Sequence, residues 1–246
     1  MIIGDLADDG MAEIRTGPFG TQLKASEYVA SGHPVLNVRN VGMGEVRTEK
    51  LEYIDAATAD RLAVHRLEEG DIVFGRKGGV ERHAFITSAF AGALQGSDCI
   101  RLRLRPGSPV RPHFASFALR TVEHQAWMRA YCSHGATMPS LNQDILRKIR
   151  LPDLSLHAQD AVIKSLASID DLIENNRRRA EVLEEMMRAI YREWFVRFRY
   201  PGHEPVSLVD SSLGPIPDGW QVRPLFDLGR VSLAEAVSGG WLVHVP

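Results

Sequence analysis

The sequence predicts a mixed α/β (α+β) domain followed by one long, coiled-coil-forming helix. Two observations carry this. Short strand-like runs at His33 to Val38, Asp71 to Phe74, Ala84 to Ile86 and Cys99 to Leu104 alternate with glycine-containing loops. Beyond them, apolar or small residues recur at a strict four, three spacing: Val162, Leu166, Ile169, Ile173, Asn176, Ala180, Leu183, Met187, Ile190 and Trp194. A 3.5-residue repeat kept over more than five heptads asks for a partner helix, whereas a plain amphipathic core helix seldom keeps that phase so long. Residues 158–199 would then span about 60 Å at 1.5 Å per residue.

Within the first 152 residues, helical patterning is clear at Ala56 to Val64 and at Pro112 to Tyr131. Ser140-Leu141-Asn142-Gln143 reads as a helix start, with Ser140 as cap and Gln143 reaching back. Asn176 is the polar member of the seam, of the kind that fixes register and partner number at some expense in stability. Asp170, Asp171, Glu174, Glu181, Glu184 and Glu185 flank the seam with Arg177, Arg178, Arg179, Arg188 and Arg192, which suits a solvated hairpin or coil rather than a membrane segment. After Arg199, YPGHEPVSLVDSSLGPIPDGW has no periodicity and reads as a linker. Beyond it Asp227-Leu228, Ala234-Glu235 and Gly239 align with Asp5-Leu6, Ala12-Glu13 and Gly17 at one constant offset, like the opening of a second copy of the first domain. The expected divisions are therefore 1–152, 153–199, 200–220 and 221–246.

Composition excludes several classes. The net charge of −2 provides no global basic field, so any nucleic-acid surface must be a local patch. The opening MIIGDLADDG lacks the features of a secretory signal, and no stretch is long and apolar enough to cross a bilayer. With only Cys99 and Cys132, read as buried small hydrophobes, a cytoplasmic location is expected. No Walker phosphate loop, cofactor fingerprint or methyltransferase Asn-Pro-Pro-Tyr run occurs, so an enzyme is not expected. Cys132-Ser133-His134 lacks the second pair that zinc requires, so no metal is expected either.

Any surface for a polyanion would be expected to use Lys and Arg presented on loops. The run Gly75-Arg76-Lys77-Gly78-Gly79-Val80-Glu81-Arg82-His83 offers Arg76, Lys77, Arg82 and His83 between glycines that let a backbone approach phosphate. On the residues alone, a solvated hairpin turn is the plainer reading. Arg101, Arg103 and Arg105 alternate with Ile100, Leu102 and Leu104, so they share one strand face that either tracks a phosphate backbone or is simply wet. Lys24, Arg39, Asn40 and Thr137 are weaker candidates, in loop-like sequence near glycines. The Arg177-Arg178-Arg179 run points three ways around a helix and suits a solvated or partner-facing surface.

Taken in order, IRTGPFGTQLKASEYVASGHPVLNVRNV, LEEGDIVFGRKGGVERHAFI, GATMPSLNQDILRKIRLPDLSLHAQDAVIKSLASIDDLIENNRR and REWFVRFRYPGHE with GPIPDGW resemble the specificity (S) subunits of type I restriction-modification systems. The resemblance implies a target recognition domain at 1–152, a spacer and dimerisation helix at 153–199, and the opening of a second recognition domain at GPIPDGW. It also implies a non-catalytic DNA-binding subunit that directs methyltransferase (M) and restriction-translocase (R) subunits to a bipartite double-stranded site, and it makes DNA contact rather than a solvated turn the preferred reading of Arg76, Lys77, Arg82 and His83. S-adenosylmethionine, ATP and magnesium would sit on those partners, with no cofactor in this chain. Family members carry two recognition domains. A half-length or truncated form such as this is expected to restore the pair as a homodimer. The alternatives are an autonomous DNA-binding or anti-restriction adaptor and a non-functional truncated subunit; co-purification with a methyltransferase subunit separates the first from the leading reading.

Overall fold

The computed structural model describes residues 1–18, 20–132, 139–224 and 241–244. In chain order the regular elements are α1 (Ile3–Asp8), β1 (Ala12–Thr16), β2 (Tyr28–Val29), β3 (His33–Leu36), β4 (Met43–Gly44), β5 (Glu52–Ile54), α2 (Ala56–Arg61), β6 (Ile72–Gly75), β7 (His83–Phe85), β8 (Leu94–Gln95), β9 (Cys99–Leu104), α3 (Pro112–Leu119), α4 (Val122–Cys132), α5 (Gln143–Arg147), α6 (Leu156–Tyr191), β10 (Leu208–Ser211), β11 (Gly214–Pro217), β12 (Gln221–Pro224) and β13 (Trp241–His244). They group into two units, Met1–Asp170 and Asp171–Pro246.

The first unit holds a five-stranded sheet in the order β1-β9-β6-β7-β4 and a four-stranded sheet in the order β2-β5-β3-β8. Strand β9 is an interior strand, paired antiparallel on both sides, with Ile14 and Ile72 each opposite Leu102. Alternation along β9 sends Ile100, Leu102 and Leu104 to a core that also takes Ile3 and Leu6 of α1, Phe114 and Leu119 of α3, Met128 of α4 and Leu146 of α5. On the other face, Cys99, Val73 and Ala84 join Leu36, Val41, Leu67 and Ile86. Both cysteines are buried, and burial pushes the Cys99 thiol up to about 12 and the Cys132 thiol up to about 11.

Several elements depart from expectation for identifiable reasons. The helix expected from Pro112 to Tyr131 is two helices, because the Thr121 hydroxyl donates to the Ala118 carbonyl and accepts from the His124 amide, which starts a new helix. At α5 the cap is Asn142, not Ser140: the Asn142 Oδ1 accepts from the Ile145 amide at 2.9 Å, while Gln143 donates to the Thr16 hydroxyl at 2.8 Å. Ser140 instead bridges to Lys77. Residues 1–16 also fold, as α1 and β1, and are zipped shut by the Ile3 amide to the Ile149 carbonyl and the Leu151 amide to the Met1 carbonyl.

Helix α6 begins and ends close to the expected limits, its last turn widening to a π turn over Arg192–Val196. Among the described residues no helix is long and apolar enough to cross a membrane. In the second unit, the segment read as a linker contains a hairpin, β10 with β11, turned at Gly214 with φ of 99°. Trp220 packs among Phe195, Phe198 and Tyr200 at centroid separations of 5.9, 5.6 and 5.5 Å. Strands β12 and β13 pair antiparallel; the repeat positions 227, 228, 234, 235 and 239 lie outside the described residues.

His83 generates a testable consequence. Its ring is fully buried beside Phe74 and shares a 2.9 Å hydrogen bond with the Ser116 hydroxyl. Burial, helped by Arg120 and His124, lowers its pKa from 6.5 to about 3, so the imidazole is neutral at pH 7. The unfolded chain binds that proton near pH 6.5. Stability from this group is therefore complete above pH 6.5 and declines toward pH 3, by about 1.4 kcal/mol per pH unit. Urea unfolding at stepped pH should show that acid limb, and His83→Gln, which cannot titrate, should flatten it.

Candidate nucleic-acid interface

The antiparallel pairing brings Thr16 and Gly17, Gly75 and Arg76, Arg82 and His83, and Asp98 and Cys99 to one end of the five-stranded sheet. Gly17 passes so close to the Gly96 carbonyl that a Cβ would sit 1.9 Å from its oxygen, and only glycine permits that approach. The Val38 side chain lies 3.1 Å from where a Gly75 Cβ would be, placing the turn of Val38–Asn40 at the same end.

The loop from Arg76 to Arg82 is built on fixed points. The Arg76 amide donates to Asp98 and its carbonyl accepts from Leu141, both at 2.8 Å. Val80, 1% exposed, plugs the loop into the main core. Gly78 has φ of 78°, a conformation costly for other residues, and the Val80 amide closes a tight turn onto its carbonyl. Over Gly79 lies the Arg82 guanidinium; a Cβ there would fall 2.1 Å from Nε. Lys77 stands out with its side chain 59% exposed, 3.5 Å from Asp98. Glu81 pairs with Arg129 of α4 at 3.8 Å, so α4 borders the loop. A rigid base with cations at its rim suits electrostatic contact with a polyanion.

Other expected contacts have different surroundings. His83 follows Arg82 but points into the core, which corrects its placement among exposed donors. Asn40 is also fully buried: its Oδ1 accepts from the Asn37 amide and its Nδ2 donates to the Arg47 and Glu49 carbonyls. Its three bonds hold a turn together and leave nothing to reach a base. Arg39 is half exposed, 3.4 Å from Glu52. Lys24 is exposed just before the turn at Ala25–Glu27. Thr137 and His134 lie outside the described residues.

The arginines of β9 share a face, as their period requires, but that face is covered. Arg101, with a side chain only 2% exposed, donates to Glu13 at 2.8 Å and to the Arg66 carbonyl at 3.1 Å. Arg103 grips Asp71 with two 2.7 Å bonds, donates to the Arg66 carbonyl and pairs with Glu68. The hydrogen bond to Asp71 is the main reason its guanidinium holds its proton more tightly than usual. Arg105 is half exposed, 3.6 Å from Glu13. Arg101 and Arg103 thus serve the fold inward, correcting the picture of three guanidiniums on a wet face. The missed contributors to the sheet end are Asp98, Gln143 and Thr16; the pairing of β1 with β9, invisible in local pattern, brings them in.

On α6 the seam is open to solvent through most of its length, from 37% exposure at Leu166 to 65% at Met187. Val162 differs, packing with Ile163 on the main core. The flanking charges pair along the helix, Glu174 with Arg178, Arg177 with Glu181 and Glu184 with Arg188. Leu172, Val182, Met186 and Tyr191 widen the exposed apolar surface.

No family model matches the sequence. A protein named as the type I restriction enzyme MjaX specificity subunit, from Methanocaldococcus jannaschii, is 24% identical over 212 residues, covering 85% of this chain and 48% of the relative. The MjaIX specificity subunit of the same organism is 32% identical over 99 residues, 40% of this chain and 23% of that one. Among solved structures, the type I restriction-modification S subunit of M. genitalium superposes with a TM-score of 0.58 at 16% identity, over 80% of this chain and 45% of the other. The chain spans about half the length of the long-matching relative. The sequence relatives and the fold agree: the chain is similar to the specificity subunits of type I restriction systems, and it shares with the solved S subunit a mixed α/β domain leading into one long helix.

Proposed function

We propose that this chain is a non-catalytic DNA-specificity subunit that acts as a homodimer, directing methyltransferase and restriction-translocase partners to a bipartite double-stranded site. The observation that carries the reading is the α6 seam, a heptad-spaced apolar face left exposed directly after a domain with a cationic loop at one sheet end. Leu166, Ile169, Ile173, Leu183, Met187, Ile190 and Trp194 would bury against a second copy, with Ala180 and Asn176 setting closeness and register. Arg76, Lys77 and Arg82 would meet phosphates or base edges, with Arg39, on the turn at Val38–Asn40, at the same end of the sheet. S-adenosylmethionine, ATP and magnesium would belong to the partners.

Replacing Leu166, Ile173 and Leu183 together with Asp should give a monomer, since charge buried in a helix seam costs several kcal/mol. Light scattering at tens of micromolar decides this. A wild-type chain that is monomeric, alone and with its methyltransferase partner, removes the pairing.

Changing Arg76, Lys77 and Arg82 to Ala should weaken DNA binding and reduce the salt slope by about two to three units, with little change in melting temperature. An unaltered slope in the assembled complex would take the loop off the DNA.

Two identical domains related by a twofold axis would read inverted copies of one half-site. Inserting seven residues at Arg178 keeps the heptad phase and adds about 10 Å, so the unread spacer should grow by roughly three base pairs while the half-site stays unchanged. Mapping methylated sites for both forms tests this; a changed half-site with a constant spacer contradicts it.

A further inference from the structure

We infer that Gln159, with Arg120, is a positioning latch that fixes the direction of α6 against the recognition domain and thereby restricts the half-site spacing the protein accepts. The inference rests on the proposed function for its consequence, but its geometry lies wholly within the first unit.

Gln159 is fully buried at the base of a helix that is otherwise wet, an unusual place for an uncharged amide. Each of its polar atoms is used. Its Oε1 accepts from the Arg111 amide, and its Nε2 donates to the Pro109 and Leu154 carbonyls, all three bonds at 2.8 Å. One side chain thus joins the loop entering α3, the loop entering α6, and α6 itself. Beside it, Arg111 forms a bidentate pair with Asp160 at 3.0 and 3.2 Å. Val162 and Ile163 add apolar contact with the main core.

A second tie lies further along the helix. Arg120, at the break between α3 and α4, donates to Asp170 at 2.6 Å. Its guanidinium is placed from two sides: it stacks 4.8 Å over the Phe117 ring, and it lies where a side chain on Gly44 would be, a Cβ there falling 2.1 Å from Nε. Residues 159 and 170 are about 16 Å apart along the helix axis. One tie permits a lever to pivot. Two ties separated by three turns fix its direction, which a helix used as a ruler requires if each half-site is to be met at a set distance.

The test uses the full chain with its methyltransferase partner and two substitutions, Gln159→Met, which keeps the volume and removes the bonds, and Asp170→Asn, which keeps the fold and removes the charge. Methylated sites are mapped. The half-site should be unchanged, while methylation at spacers one base pair longer or shorter should rise several-fold. A role in stability alone would lower the melting temperature and leave spacer choice untouched. In parallel, spin labels at Glu123→Cys and Arg178→Cys, diluted with unlabelled chain, report the spread of distances within one molecule; the buried Cys99 and Cys132 thiols do not compete. The spread should widen in both variants. An unchanged spread with unchanged spacer choice overturns the latch and leaves the specificity role standing. If the wild type directs no methylation to any motif, the proposed function fails, and the label distances decide the latch alone.

Discussion

Arg101 is the constraint on which the first unit depends. Its guanidinium, on the interior strand β9, faces away from the helical core and is almost wholly enclosed, so it needs partners. Glu13 on the neighbouring strand supplies the charge, and the carbonyls of Val64 and Arg66 supply acceptors. Arg103, two residues along, binds the buried Asp71 at the mouth of β6. Together they pin residues 64–71 onto the sheet. Removing one partner would leave a buried charge unmatched, a loss on the order of 3–5 kcal/mol, whereas a pair at the rim such as Arg39 with Glu52 matters far less.

This network shows where local pattern stops being informative. The period of two correctly placed Arg101, Arg103 and Arg105 on one face, since alternation is a property of the strand itself. What covers that face depends on residues 64–71, which arrive from far away in sequence. The same limit explains His83 and Asn40: glycine-rich surroundings mark a loop, but burial is decided by Ser116 on α3 and by the carbonyls of Arg47 and Glu49. The glycine loop and the long helix were legible because both are local, one through backbone freedom and the other through heptad phase. The break at Thr121 was hidden because apolar periodicity runs on across it and only a hydroxyl marks the new start. Asn142 outcompeted Ser140 as cap for a nonlocal reason, Ser140 being held in a bridge to Lys77.

The loop at the sheet end combines a fixed base with an exposed rim. Val80 and the backbone bonds of Arg76 fix its base; Gly75 leaves room for the Val38 side chain, Gly79 for the Arg82 guanidinium, and Gly78 supplies the positive-φ turn between them. Lys77 and Arg82 remain at the rim. Preorganised cations lose little freedom on meeting a polyanion, so their attraction is not consumed by ordering the loop. The pairing of Lys77 with Asp98 is partly exposed and about 3.5 Å long, weak enough to exchange for a phosphate.

The far end of the helix meets a similar demand by other means. A wide stop that follows the π turn, with the Arg199 amide on the Glu193 carbonyl, leaves Phe198 at φ of 58°, where glycine is the usual occupant. That conformation costs about 1–2 kcal/mol for a residue with a side chain. The ring offsets it by standing edge-on against Trp220, 5.6 Å away at 88°, a contact worth about 0.5–1.5 kcal/mol beyond area burial. Glycine would relax the backbone and remove one wall of the aromatic cluster. The stop and the cluster therefore depend on the same residue. Trp194, the last seam position, directly precedes Phe195, the first member of that cluster, so the heptad face ends where the helix is stopped. For the pairing proposed above, this stop sets where the seam ends.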